Sequence, residues 1–144
     1  SSLTLTVSAQ GETAYAVIEQ GNANIVVADA AGNACCYAAR TPESERFPSF
    51  SPDGQWVAFS VSVTENEHSI AVNSRDGAER LRFPDQPASL VPAVSSWAPD
   101  GSGVAFASCE PDRCRIYRAG VNGVLEILLS TSLIDRIGMI SWQR

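Results

Sequence analysis

Lysine is absent from this chain of 144 residues, and all ten of its cationic side chains are Arg. Chemistry that depends on a lysine amine, such as Schiff-base formation or the phosphate loop G-x-x-x-x-G-K-[ST], is therefore excluded. Histidine occurs once, at His68 in the polar stretch "TENEHS", and no G-x-S-x-G elbow is present. A serine nucleophile is thus left without a recognisable base, and His68 reads as a solvated loop residue. No apolar run approaches the length that spans a bilayer. Nor does the sequence open on a charged-then-apolar leader, as in a mature or trimmed form. Sustained helical periodicity is missing too; the nearest stretch, "STSLIDRIGMI", is interrupted by Gly138. The net charge of -6, with no clustering of Arg, argues against a nucleic-acid partner.

What remains is enough for a core: 44% of residues are hydrophobic and only 18% charged, in a length that suits one domain or part of a larger one. The four cysteines, Cys35, Cys36, Cys109 and Cys114, fit no zinc spacing. Cys109 and Cys114 bracket "EPDR" between two strand-like runs, so they can bridge across a hairpin mouth or stand as two thiols. A bridge would favour an exported protein, periplasmic or extracellular. Adjacent Cys35 and Cys36 point to opposite faces of a strand, which predicts one buried and one exposed thiol rather than a vicinal disulfide.

The dominant signal is a repeat. "FPSFSPDGQWVAFS" (47–60) returns as "VSSWAPDGSGVAFA" (94–107), with Ser51–Gly54 and Ala98–Gly101 standing 47 residues apart. A weaker copy lies upstream, in "AYAVI" and "NIVVADAAG", and Trp142 in "MISWQ" repeats the position of Trp97. Each unit reads as four short strands rich in Val, Ile and aromatics, punctuated by Gly, Pro, Asn and Asp. Pro-Asp-Gly is turn chemistry: Pro fixes φ, Asp bonds back to the backbone, and Gly tolerates positive φ. Pro52, Asp53 and Gly54, with Pro99, Asp100 and Gly101, are therefore structural, and the two aspartates are not a catalytic pair. The aromatic before each turn, Phe50 or Trp97, is expected to fill the gap between units. A four-stranded unit of 40–50 residues in tandem is the mark of a β-propeller blade, which buries its faces only against its neighbours.

The predicted fold is all-β, with propeller blades of four antiparallel strands at about 3–40, 47–84 and 93–130 in a single domain over 1–144. A further strand at 137–142 starts a fourth blade. Strand a of the second blade is expected at 48–51, and its strand d at 79–83. Closed propellers carry about four to eight blades, so three are read as half of a six-bladed ring. The ring is closed by a second copy as a homodimer, or by the rest of a longer chain.

At these residues the sequence resembles the Pro-Asp-Gly repeat propellers typified by TolB of the Gram-negative Tol–Pal envelope system. Pro48, Ser51, Pro52, Asp53, Gly54, Ala58 and Phe59 match the family phrase in the second unit. Trp97, Pro99, Asp100, Gly101, Ala105, Phe106, Ile116, Tyr117 and Gly123 match in the third. The first unit departs from it, with Gln10-Gly11 where Pro-Asp-Gly would stand. The resemblance implies a bacterial, extracytoplasmic scaffold or sensor binding a protein or small ligand; from the residues themselves no cofactor and no metal is expected. The alternative it implies is the substrate-gating propeller of a larger prolyl-oligopeptidase-like hydrolase.

Propeller ligands meet the loops at one end of the channel. The links "RTPESERF", "PDQPASLVPA" and "STSLIDRI" supply Glu43, Glu45, Arg46, Asp85, Asp135 and Arg136, which are the candidate partner surface. Singly, each reads as a solvated loop charge. Glu65 and Glu67 could hold a cation, but read more simply as a solvated acidic turn.

Overall fold

A computed structural model describes residues 4–131. The anticipated strand at 137–142, with Asp135 and Arg136, lies outside them. The described residues form twelve strands in three four-stranded antiparallel sheets. The first blade holds β1 (Leu5–Val7), β2 (Thr13–Glu19), β3 (Asn22–Ala28) and β4 (Ala34–Ala39). The second holds β5 (Ser44–Phe50), β6 (Trp56–Thr64), β7 (Glu67–Ser74) and β8 (Arg80–Leu81). The third holds β9 (Ser95–Trp97), β10 (Gly103–Glu110), β11 (Arg113–Gly120) and β12 (Leu125–Thr131). Within each blade, strands pair in chain order.

Strand alternation sends each blade's side chains both ways. Val57, Phe59 and Val61 of β6 join Ala14, Ile25 and Val27 in one core between the first and second blades. Ala58, Ile70 and Val72 join Trp97, Val104 and Phe106 in another, between the second and third. Phe50 lies in the first core and Trp97 in the second, at the positions their place in the repeat requires. The inner strands are also tied directly. The hydroxyls of Thr4 and Thr6 accept from the Phe47 and Phe50 amides at 3.2 and 3.3 Å, and Trp97 Nε1 donates to the Ser49 carbonyl at 2.9 Å.

Six turns share one design and, by the up-and-down strand order, one end of the blades. In each, a glycine with φ between 74° and 90° donates its amide to the carbonyl three residues back, at 2.9–3.0 Å. These are Gly11, Gly32, Gly54, Gly77, Gly101 and Gly123. An L side chain rarely adopts that φ. The first blade keeps the turn without Pro-Asp, because Ser8 Oγ accepts from the Gln10 and Glu12 amides instead.

Asp53, Asp76 and Asp100 accept from turn amides and hydroxyls in this way. The Ser51 hydroxyl and Gln55 amide hold Asp53 below the usual carboxylate range, and the Ala78 amide and Ser74 hydroxyl do the same for Asp76. For Asp100 it is the Ser102 hydroxyl and amide. A depressed folded pKa gives stability that is present above the unfolded value, about 3.9, and lost as pH falls through the folded one. The triple variant Asp53→Asn, Asp76→Asn, Asp100→Asn keeps the acceptor oxygens but not the titration. Its unfolding free energy, followed by urea denaturation, is expected to fall less steeply below about pH 4 than that of the parent.

Two strands differ from the sequence expectation. β5 begins at Ser44 rather than near Pro48, because a bulge between Arg46 and Ser49 carries the strand past the proline, with Phe47 at φ 56°. Pro has no amide for a ladder and is tolerated at such a bulge. β8 is only Arg80–Leu81, shorter than the expected 79–83, and Pro84 follows closely. The free edge of β7 is finished by side chain and link instead. Gln86 bonds both backbone groups of Ile70 at 2.9 Å, and Ser89 bridges His68. His68 is thus a half-buried strand residue, not a loop one.

The cysteines form two disulfides. Cys109 and Cys114 face each other at the mouth of the β10–β11 hairpin and are bridged. Cys35 and Cys36 are joined as a vicinal pair, against the expectation of two thiols on opposite faces. The reason lies in β4. Cys36 pairs with Val27 and Ala34 with Ala28, so Cys35 is the extra residue of a bulge. A bulge re-aims a side chain and breaks strict alternation.

Candidate functional site

Opposite the glycine turns lie the β2–β3, β6–β7 and β10–β11 hairpins and the links between blades. Here the sequence does not repeat. In the first blade, an open groove of about 590 Å³ is lined by Glu19, Gln20, Asn22, Asn24, Arg40 and Thr41. Glu19 is its hub: Oε1 accepts from Asn24 Nδ2 at 2.9 Å, and Oε2 accepts from the Tyr37 hydroxyl at 2.8 Å. These donors, Asn24 first, hold the Glu19 carboxyl below its usual range, and the same bond raises Tyr37. Arg40 lies 4.6 Å over the Tyr37 ring, a cation–π contact, with its Nε 4.0 Å from Glu19. Asn22 Nδ2 reaches the Thr41 carbonyl at 2.8 Å, fixing the link to the hairpin.

Thr41 also borders a second, smaller cleft of about 200 Å³, shared with Glu43, Glu45 and Arg82 over a floor of Phe59 and Ile70. Glu45 is only 1% exposed. It accepts from the Thr41 hydroxyl at 2.7 Å and the Thr41 amide at 3.3 Å. Burial pushes its carboxyl up, and the Thr41 bonds oppose that.

The sequence-derived surface is therefore divided. Glu43 and Asp85 are exposed on links. Glu45 and Arg46 belong to β5: Arg46 is half-buried, while Glu45 is an interior group holding the link and offers a partner no surface. The Glu19–Asn24–Tyr37–Arg40 network was not singled out from sequence. Its one signal is two asparagines, Asn22 and Asn24, opening the otherwise apolar strand "NANIVVA". Amides beside a carboxylate and a guanidinium suit hydrogen-bonded recognition. Both Glu19 oxygens are already engaged, so the carboxylate orients its neighbours. Among the described residues, no group of three His, Cys, Asp or Glu is placed to hold a metal ion. No helix among them is long and apolar enough to cross a membrane.

No protein-family model matches the chain, and no curated protein is significantly similar to it in sequence. Solved structures are similar. One described as a TolB protein from Agrobacterium tumefaciens aligns with a TM-score of 0.70 at 21% identity, over 90% of this chain and 50% of that one. TolB from Acinetobacter baumannii aligns at 0.67 and 21% identity, over 88% of this chain and 32% of that one. A chain of a nidogen–laminin complex aligns at 0.67 and 17% identity, over 95% of this chain and 49% of that one. The fold is that of TolB-like β-propeller blades. The chain spans between a third and a half of the length of these propeller proteins.

Proposed function

We propose that this chain is an interaction module without catalytic activity, part of a TolB-like propeller working outside the cytoplasm of a bacterium, and that a protein docks on its hairpin-and-link end. The observation that carries this reading is the division of labour between the two ends. One end repeats six glycine turns whose Ser and Asp groups serve the backbone, and a cleft of about 310 Å³ there is walled by one of those turns, at Ser74, Asp76 and Ala78, with Arg75 paired to Glu12. The other concentrates unrepeated charged and amide groups around two clefts that share Thr41. That one of the similar propellers comes from a nidogen–laminin complex supports a protein as the partner class. The two disulfides support an oxidising compartment. Glu43 and Asp85 are the exposed members of the proposed surface, Arg46 is half-buried in β5, and Glu45 holds the link.

Photo-crosslinking amino acids placed at 43 and 85, with controls at 31 and 122 on the turn end, test the reading. An adduct to one protein species from the first pair alone is the expected result. Equal labelling from both ends, or none, would overturn it.

The ring is proposed to close with a second copy. The innermost strand of the first blade exposes Leu5 and Val7, and the outermost strand of the third exposes Ile127 and Leu129, apolar side chains that a further blade could cover. Light scattering behind a sizing column is expected to give twice the chain mass of 15.3 kDa. The mass of one chain would overturn closure by self-association.

A further inference from the structure

The two disulfides differ in what can reach them. Cys109 is 4% exposed and Cys114 fully buried. Cys35 is exposed at its bulge, and Cys36 is half-buried against the first inter-blade core. Thiol–disulfide exchange needs a thiolate to reach a sulfur, so access alone separates the pairs. Cys36 Sγ lies 3.9 Å from the Arg75 carbonyl of the neighbouring blade, within reach of the weak bond a thiol can donate. The site thus offers Cys36 a partner in either state: Cys35 when bridged, the Arg75 carbonyl when reduced.

We infer that Cys35 and Cys36 form a reversible dithiol–disulfide exchange site whose substrate class is a solvent-borne thiol, or the thiol of a protein small enough at its tip to reach β4. An incoming thiolate attacks Cys35 Sγ, the Cys35–Cys36 bond breaks, and Cys36 leaves as a thiolate that takes up a proton. A second thiolate then attacks the partner's sulfur in the mixed disulfide, so that the oxidised partner is released and Cys35 leaves as a thiolate that takes up a proton. The balance is one protein disulfide reduced for two external thiols oxidised, and the reverse sequence closes the pair. The neighbouring backbone is clamped to the second blade, since Asn73 Nδ2 donates to the Ala38 carbonyl at 2.8 Å. The chemistry therefore takes place beside a blade junction.

The native protein, incubated in reduced and oxidised glutathione at graded ratios, is alkylated and mapped by peptide mass spectrometry. The 35–36 pair is expected to pass fully from disulfide to dithiol and back. The 109–114 bridge stays closed, opening at least ~10-fold more slowly. Joint opening of both pairs would overturn the inference, as would thiols at 35 and 36 that oxidised glutathione fails to join. Two single variants test the point of attack. Cys36→Ser should accumulate a glutathione adduct at Cys35, and Cys35→Ser should accumulate far less at Cys36. Equal adducts would refute Cys35 as the reactive sulfur.

Discussion

Trp97→Ala is expected to lower the unfolding free energy by about 3–5 kcal/mol. The indole is 8% exposed in the core between the second and third blades, with Ala58, Ile70, Phe83 and Val104 among the buried residues of that cluster. Truncation leaves a cavity that two sheets, each held by its own ladder, relax into only partly. It also strands the Ser49 carbonyl, which the indole N–H reaches at 2.9 Å across the inner strands. Trp97→Phe divides the two contributions. It keeps most of the apolar contact, loses the hydrogen bond, and should cost about 1–2 kcal/mol. Urea denaturation of both variants provides the check. A loss below about 1 kcal/mol for the alanine variant would contradict a role between blades.

Gly77→Ala is expected to be nearly as damaging, for a different reason. Gly77 sits at φ 77°, and a Cβ built there would lie 2.7 Å from the Tyr37 carbonyl oxygen and 3.1 Å from that of Ala38. Both contacts are backbone atoms of the first blade, so no side chain can swing aside. Gly32 is the control: its φ is 90°, but nothing lies within 4 Å of the same position. Gly32→Ala should lose only the left-handed conformational preference, about 1–2 kcal/mol. Gly77→Ala should lose that and a further ~1–3 kcal/mol for the enforced backbone shift. Thermal and urea melts of the two variants side by side isolate the excess. Equal losses would mean that the second blade's turn does not rest on the first blade.

The repeat was legible because the physics behind it is local. A left-handed glycine and an aspartate accepting from turn amides need particular residues at particular spacings, so Asp53-Gly54 and Asp100-Gly101 show themselves in sequence. Positions decided by irregular backbone were not legible. Glu45 looked like a link charge, yet the bulge at Phe47 draws its segment into β5, and Thr41 supplies the bonds that make its burial tolerable. Cys35 and Cys36 looked like opposite-facing thiols, and a bulge in β4 put them together. Of the candidate surface, the exposed Glu43 and Asp85 could be reached from the links alone. The Glu19 network could not, since it joins a hairpin to residues of β4 and the following link, and only the folded sheet brings them together.

The pairing of strands in chain order has a consequence for how the chain reaches its native state. Every ladder within a blade is closed by a short connection, so its loop-closure entropy is small and hairpins can form within microseconds. The slower event is the stacking of finished sheets, since only that covers Phe59 and Phe106, both 1% exposed at the end. Emerging from the ribosome, the chain passes through a stage in which one blade is already zipped while its neighbour is still being made. During that interval a row of Ala58, Ile70 and Val72 of the second blade, which the third blade covers in the end, faces solvent on a sheet with a free outer edge. That exposed row, more than any loop, marks where a chaperone or a second nascent chain would first take hold.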